Sequence, residues 1–171
     1  MNDLPSSDAS TTHNLSVYVA NQPGALARIA QVFARRGYNI DSLVVSPSVD
    51  GRFSRMTITA KGSAEGLDQV IRQLNKLIDV LRCVDHTGED SIVRELAMIK
   101  IAAGEEERTS ALQVADHFGA KTVDLTARSM VVMATGNSDK IDALVRMLAK
   151  YRVIELVRTG KVVMARGEEA T

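Results

Sequence analysis

Asn21-Gln22-Pro23-Gly24-Ala25-Leu26 is the stretch that decides the fold, because an alternating strand leads into it and an amphipathic helix leads out of it. From Leu15 to Ala20, apolar side chains alternate with small or polar ones, which predicts a half-buried strand. From Ala25 to Arg36, apolar side chains recur at helical spacing, and Gly37 then ends the pattern. The sequence therefore predicts a strand and a helix joined by a tight Pro-Gly turn.

The turn also has the composition of an anion-binding helix start. The ring of Pro23 fixes φ, and the N–H that proline lacks is not needed at this position. Gly24 removes a side chain where the helix begins, so the first backbone N–H groups lie open to a carboxylate or phosphate. On this motif alone, a tight connection that binds no ligand is the more frequent case.

The same order of elements occurs twice, which predicts an α+β protein made of two successive ferredoxin-like βαββαβ units. We expect a disordered tail at residues 1–12, a first unit at 13–86, a linker at 87–93 and a second unit at 94–167. Besides Leu15–Ala20, the predicted strands are Ile40–Ser46, Phe53–Lys61, Val80–Asp85, Arg94–Ala102, Lys121–Thr126, Ser129–Thr135, Val153–Val157 and Gly160–Ala165. The other predicted helices are one from the Ser63 cap to about Lys76, a short one ending at Gly119 and a longer one after the caps Asn137 and Ser138.

Composition excludes several classes of function. Lys plus Arg and Asp plus Glu both number 21, so a net charge of zero argues against broad electrostatic binding to nucleic acid or to an anionic membrane. No stretch approaches the length of a membrane span. The single cysteine, Cys83, lies in an apolar run and is expected to be a buried structural thiol. This cysteine content fits a reducing cytoplasm, where we expect the chain.

No catalytic or metal-binding set is visible in the sequence. The glycine-rich phosphate loops are absent, and the three histidines lack the spacing of zinc ligands. Strand geometry predicts that Cys83 and His86 point to opposite faces, and the run from Glu105 to Glu107 is expected to be a solvated turn before a helix. We therefore predict no catalytic residue and no metal ligand.

Several stretches, taken together, resemble the ACT domain and, more specifically, the regulatory small subunit of acetolactate synthase (acetohydroxyacid synthase). The resemblance covers about Leu15 to Gly167, and its strength comes from the order and spacing of the motifs. Arg152, where the family often has Gly, and the longer N-terminal tail depart from the pattern. The stretches that carry the resemblance are Arg36-Gly37-Tyr38-Asn39-Ile40-Asp41-Ser42-Leu43, Ser54-Arg55-Met56-Thr57-Ile58, Lys76-Leu77-Ile78-Asp79-Val80, Arg94-Glu95-Leu96, Asp139-Lys140-Ile141-Asp142-Ala143-Leu144, Arg158-Thr159-Gly160 and Ala165-Arg166-Gly167.

The resemblance implies a non-catalytic subunit that stimulates a catalytic large subunit and confers feedback inhibition, usually by valine, in branched-chain amino-acid biosynthesis. The large subunit of that family carries thiamine diphosphate, FAD and Mg²⁺. The implied effector site consists of Asn21, Gly24, Ala25 and Leu26, and in a homodimer it is completed by Asn39 and Ile40 of the other copy. Leucine or isoleucine are the other candidate effectors.

The chemistry of these residues agrees with a valine site. The carboxylate of valine can meet the N–H groups of Gly24 to Leu26, and Asn21 and Asn39, or nearby carbonyls, can accept hydrogen bonds from its ammonium group. Leu26 and Ile40 can line its isopropyl group. Each residue also has a purely structural alternative, since the asparagines suit caps and turns and the two apolar residues suit a core.

Two other functions remain open at this stage. The first is a free-standing ACT-type amino-acid sensor that controls a transcription factor or another enzyme, although no helix-turn-helix or basic patch is visible. The second is a small enzyme on a ferredoxin-like fold, since a fold does not determine a function. The missing catalytic set argues against the enzyme.

Overall fold

The computed structural model describes residues 11–88, 91–168 and 170–171. Its elements follow the predicted order, so the α+β fold with two βαββαβ repeats is confirmed. The first repeat comprises β1 (Thr11–Ala20), α1 (Ala25–Arg35), β2 (Ile40–Pro47), β3 (Phe53–Gly62), α2 (Ala64–Leu74) and β4 (Val80–Asp85). The second comprises β5 (Ser91–Ala102), α3 (Glu105–His117), β6 (Lys121–Leu125), β7 (Ser129–Gly136), α4 (Ser138–Leu148) and β8 (Arg152–Arg158), and β9 (Val162–Ala165) follows it.

The first repeat forms a four-stranded antiparallel sheet in the order β2-β3-β1-β4. Leu15 pairs with Ile58 and Val17 with Met56, so these apolar side chains share one face. Both helices bury their apolar stripes in the cluster that this face forms. The helix residues of the cluster are Ala25, Ile29, Phe33, Leu67, Val70 and Leu74.

The second repeat has the same strand order, β6-β7-β5-β8, and β9 also pairs with β5. It has a separate core, in which alternate residues of β5 and β7 meet the apolar faces of α3 and α4. The largest fully buried side chains of this core are Ile99, Ile101, Met130, Ile141, Leu144 and Leu148. Each repeat therefore buries apolar side chains of its own.

Three predicted domain boundaries differ from the structure. β1 begins at Thr11, because residues 11 and 12 pair with the end of β3, and β5 begins at Ser91, so residues 11–12 and 91–93 are strand rather than tail and linker. Residues 163–168 and 170–171 group with the compact unit that contains the first repeat, and the second unit covers only Val93–Val162. Residues 1–10 of the predicted tail and the linker residues Glu89 and Asp90 lie outside the described residues.

The predicted lengths of the helices in the second repeat were wrong. α3 has 13 residues and α4 has 11, although the sequence had suggested the opposite order. The difference arises because Glu105, Glu106 and Glu107 form the first turn of α3 rather than a turn before it. Carboxylates are favourable there, since they face the positive end of the helix dipole, and Glu107 accepts the N–H of Gly104 at 3.4 Å.

Two predicted helix caps are confirmed. Ser63 Oγ accepts the N–H of Gly66 at 3.3 Å, and Asn137 Oδ1 accepts the N–H of Lys140 at 3.0 Å. These bonds satisfy N–H groups that have no partner within the helix, and they explain why α2 and α4 start where they do.

A polar cluster joins β1 to the end of β4. His13 Nδ1 lies 2.7 Å from Asp85 Oδ2, and the N–H and hydroxyl of Thr87 donate to Asp85 Oδ1 at 2.8 and 2.5 Å. Burial alone would raise the pKa of Asp85, but the hydrogen bonds from Thr87 and His13 outweigh it and the pKa is lowered. The ionised carboxylate is therefore favoured by folding.

Asp85→Asn should consequently destabilise the chain at neutral pH more than in acid. Because folding lowers the pKa of Asp85, its contribution is complete above the unfolded value of about 4 and is lost as the pH falls below that value. Urea unfolding of parent and variant at pH 6 and pH 3 measures this difference. Asp68→Asn, which breaks an exposed pair with Arg72, is the control. Equal losses for Asp85→Asn at both pH values would contradict the prediction.

Candidate functional site

Residues 21–26, here called the Pro-Gly loop, comprise the connection from β1 to α1 and the first two residues of α1. Gly24 is the N-cap residue of α1, with φ at +85° and ψ at −13°, and it supplies no capping side chain. This left-handed conformation favours glycine, because other residues meet steric strain there. Within the residues that the structure describes, no backbone carbonyl accepts the N–H of Gly24 or of Leu26. The helix start is therefore open as predicted.

The hairpin between β2 and β3 holds the beginning of the Pro-Gly loop. The Asn21 N–H donates to the carbonyl of Arg52, and Asn21 Nδ2 donates to the carbonyl of Gly51, both at 2.9 Å. Hydrogen bonds from Ser48 and then from Arg52 lower the pKa of Asp50 to about 2, so a carboxylate closes the hairpin. Among the described residues, none donates to the amide oxygen of Asn21, which can therefore act as an acceptor.

Asp79 holds the loop from the other side, and sequence reasoning missed this residue. Its side chain is 7% exposed and lies directly before β4. Asp79 Oδ1 accepts from Gln22 Nε2 at 2.8 Å, Oδ2 accepts from Arg28 Nε at 2.5 Å, and its carbonyl accepts the N–H of Ala20 at 2.8 Å. In the sequence, the position of this acidic residue between the apolar residues Ile78 and Val80 could have indicated a buried, paired carboxylate.

The other predicted site residues fall into two groups. Ala25 is buried at 3% exposure and its N–H donates to Gln22 at 3.3 Å, whereas Leu26 is 40% exposed beside the open helix start. Asn39 and Ile40 follow the far end of α1, whose 11 residues span about 16 Å. A single chain therefore does not bring them to the Pro-Gly loop.

The packing of Tyr38 anchors the chain directly before Asn39 and Ile40. Its ring packs so closely on Gly62 and Gly66 that a Cβ atom at either glycine would collide with it. Ile40 contacts the first core, and the side chain of Asn39 is exposed, with Nδ2 3.4 Å from Asp41 Oδ1. Asn39 thus keeps polar groups that face outward from the chain.

The remaining candidate groups have structural roles. Cys83 is buried as predicted, and burial, aided by the charge of Asp85, raises the pKa of its thiol to about 12. His86 Nε2 lies 2.8 Å from the hydroxyl of Ser16. Within residues 11–88, 91–168 and 170–171, no cluster of three or more His, Cys, Asp or Glu could hold a metal ion. Among the same residues, no helix is long and apolar enough to cross a membrane.

Comparison with known proteins agrees with these features. The model of the AHAS small subunit-like ACT domain matches residues 15–82, and that of the small subunit of acetolactate synthase matches residues 94–167. The acetolactate synthase small subunit of Mycolicibacterium smegmatis is 40% identical over 94% of this chain and 95% of its own length. A probable acetolactate synthase small subunit of Archaeoglobus fulgidus is 41% identical over 92% of this chain and 98% of its own length.

A solved structure has the same fold along nearly the whole chain. The crystal structure of an acetolactate synthase small subunit from Thermotoga maritima superposes with a TM-score of 0.83 at 32% identity. The superposition covers 93% of this chain and 99% of that one. The βαββαβ architecture of the first repeat, its open Pro-Gly turn and the family match over residues 15–82 together identify an ACT-domain protein. More narrowly, the chain belongs to the family of regulatory small subunits of acetolactate synthase.

Proposed function

We propose that this chain binds the catalytic large subunit of acetolactate synthase, stimulates it, and makes it sensitive to feedback inhibition by valine. The large subunit would carry thiamine diphosphate, FAD and Mg²⁺, and this chain would supply no catalytic group. The observation that carries the proposal is the open start of α1 at Gly24, in a chain whose relatives are small subunits of this enzyme.

The Pro-Gly loop offers each end of valine a suitable partner. The N–H groups of Gly24 and Leu26 lie at the start of α1, the positive end of the helix dipole, where a carboxylate is favoured. The amide oxygen of Asn21 can accept from the ammonium group, and the exposed part of Leu26 can pack on the isopropyl group. Ala25 contributes through its backbone, since its side chain belongs to the core.

Pairing of two copies through β2 would complete the site. β2 is an edge strand of the first sheet, and an exposed edge favours pairing with another strand. If two β2 strands pair antiparallel about a two-fold axis, the start of one lies beside the end of the other. That end leads into the hairpin turn whose Gly51 carbonyl accepts from Asn21. Asn39 and Ile40 of the partner subunit would then approach the Pro-Gly loop.

The function is tested by reconstitution with the cognate large subunit. We expect the pure chain to form no acetolactate from pyruvate, to co-purify with the large subunit, and to raise its activity in a valine-sensitive manner. A heat-denatured sample of the chain serves as the control. Acetolactate formed by the chain alone, or a chain that neither binds nor activates the large subunit, would refute the proposal.

The homodimer is tested by light scattering at micromolar concentration. We expect at least the dimer mass with and without valine, because the β2 edges of the first sheet pair. Ser42→Pro, placed within β2, removes a backbone N–H and should shift the mass towards the monomer. Monomer mass for the parent chain under both conditions would exclude the proposed arrangement.

A further inference from the structure

The guanidinium group of Arg28 lies over the open start of α1. The backbone N–H of Arg28 donates to the carbonyl of Gly24 at 3.0 Å, so the two residues are one helical turn apart. The side chain of Arg28 folds back towards the helix start, as long helical side chains do. A Cβ atom at Gly24 would lie 2.9 Å from Nη1 of Arg28. The guanidinium therefore borders the same space as the open N–H groups.

Asp79 determines this orientation. Its buried carboxylate accepts from Arg28 through Nε, and its second oxygen is occupied by Gln22. The pair thus uses one edge of the guanidinium, while the side chain of Arg28 remains 44% exposed. Within the residues that the structure describes, neither Nη atom of Arg28 has a hydrogen-bond acceptor. Two donor nitrogens are consequently left beside Gly24.

A cation in the first turn of a helix is unfavourable, because it faces the positive end of the helix dipole. Asp79 balances the charge of Arg28 from outside the helix, but no acidic residue in the first turn of α1 faces the positive end of the dipole. A carboxylate that accepts from the Gly24 and Leu26 N–H groups would interact favourably with the dipole. It could also accept from the free edge of the guanidinium, which suits a carboxylate geometrically.

We propose that Arg28, oriented by the buried Asp79, binds the carboxylate of the effector together with the open N–H groups of the Pro-Gly loop. Arg28 would thereby restrict the site to amino acids whose carboxylate is free. This inference rests on the proposed function, because it assumes that the loop is the effector site. Asp79 is a positioning residue, since it would act on the effector only through Arg28 and Gln22.

The test is calorimetric titration of the full chain with L-valine and with L-valinamide, which lacks the negative charge. The parent should bind valine about tenfold more tightly than valinamide or better. Arg28→Gln should weaken valine binding severalfold and leave valinamide binding essentially unchanged, so the preference narrows and the open N–H groups retain only part of it. Arg72→Gln, which removes an exposed guanidinium paired with Asp68 on α2, should change neither affinity.

A second variant protects the test against misfolding. Arg28→Gln leaves the carboxylate of Asp79 buried with one partner fewer, which can destabilise the fold. The double variant Arg28→Gln/Asp79→Asn removes both charges, and we expect it to fold and to show the same narrowed preference. A preference as large as that of the parent in the folded variants overturns the inference and leaves the valine site intact.

Two other outcomes are equally decisive. Loss of the folded circular dichroism spectrum in both variants would show that the ion pair is structural and overturn the inference. A parent chain that binds no valine would remove the proposed effector function, and the role of Arg28 with it. The titration of the parent thus separates failure of the function from failure of the inference.

Discussion

Gly24→Asp should remove valine inhibition from the reconstituted enzyme while leaving most of the activation in place. Aspartate would put a negative charge in front of the N–H groups that we assign to the effector carboxylate, and the two charges would repel each other. It would also reach Arg28, whose Nη1 lies 2.9 Å from the position of the new Cβ. Losing even one charge-assisted hydrogen bond costs about 1.5–3 kcal/mol, so half-inhibition should require at least about tenfold more valine.

The fold should survive the Gly24→Asp substitution. The positive φ of Gly24 is strained for any side chain, but aspartate tolerates this region better than most residues, and it is also a favourable N-cap. Gly24→Ala carries similar backbone strain without the charge, so its effect on inhibition should be smaller.

Activity of the reconstituted complex, measured against valine concentration, tests this prediction. Gly119→Asp is the matched control, because Gly119 has a positive φ of +60° in the second repeat and a Cβ there would meet no atom within 4 Å. It should cost backbone strain while leaving inhibition intact. If the Gly24→Asp enzyme remains as sensitive to valine as the parent, the effector site lies elsewhere.

Arg158→Met should produce the largest loss of stability among the surface-accessible charges of the second repeat. Arg158 at the end of β8 contacts both oxygens of Glu95, from Nη2 at 2.5 Å and from Nε at 3.2 Å, and Nη1 contacts Asp142 at 2.7 Å. The hydrogen bonds to Glu95 first, and then to Asp142, raise the pKa of the guanidinium. The side chain of Glu95 is only 4% exposed, so removing Arg158 leaves a buried charge without its partner.

The expected loss is about 3 kcal/mol in the free energy of unfolding, the usual scale for breaking a buried ion pair. Urea unfolding of the full chain, followed by circular dichroism, measures it. Lys100→Met breaks the exposed pair with Glu155 and should cost less than about 1 kcal/mol. The double variant Arg158→Met/Glu95→Gln should recover part of the loss. A single-variant loss no greater than that of the Lys100 control would show that the Glu95 pair contributes little.

Local patterns predicted most of the fold because they are repeated and periodic. The alternation from Leu15 to Val19 and the helical spacing from Ala25 to Phe33 identified the residues of the first core. Strand order then follows from the repeat, since both units have the order typical of a ferredoxin-like sandwich. The strand boundaries at Thr11 and Ser91 were harder to predict from the sequence, because a strand end depends on how far its neighbour in the sheet extends.

Only part of the candidate site could be predicted from the sequence. The open helix start at Gly24 is a local feature, and the Pro-Gly dipeptide indicates it directly. Asn39 and Ile40 were assigned to the site only through the resemblance to a family, because they lie at the far end of α1 from the Pro-Gly loop. Their role as effector ligands stays a prediction that depends on a second copy of the chain.

The sequence by itself determined the repeated βαββαβ order, the faces that form each core and the open start of α1, since these depend on neighbours within a few residues. Only the tertiary structure paired Asp79 with Arg28, 51 residues apart, and Glu95 with Arg158, 63 residues apart. Strand order and register bring these charges together, and neither is visible in local spacing. Each pair also requires its acid to be buried, a property of the packed chain that composition does not reveal.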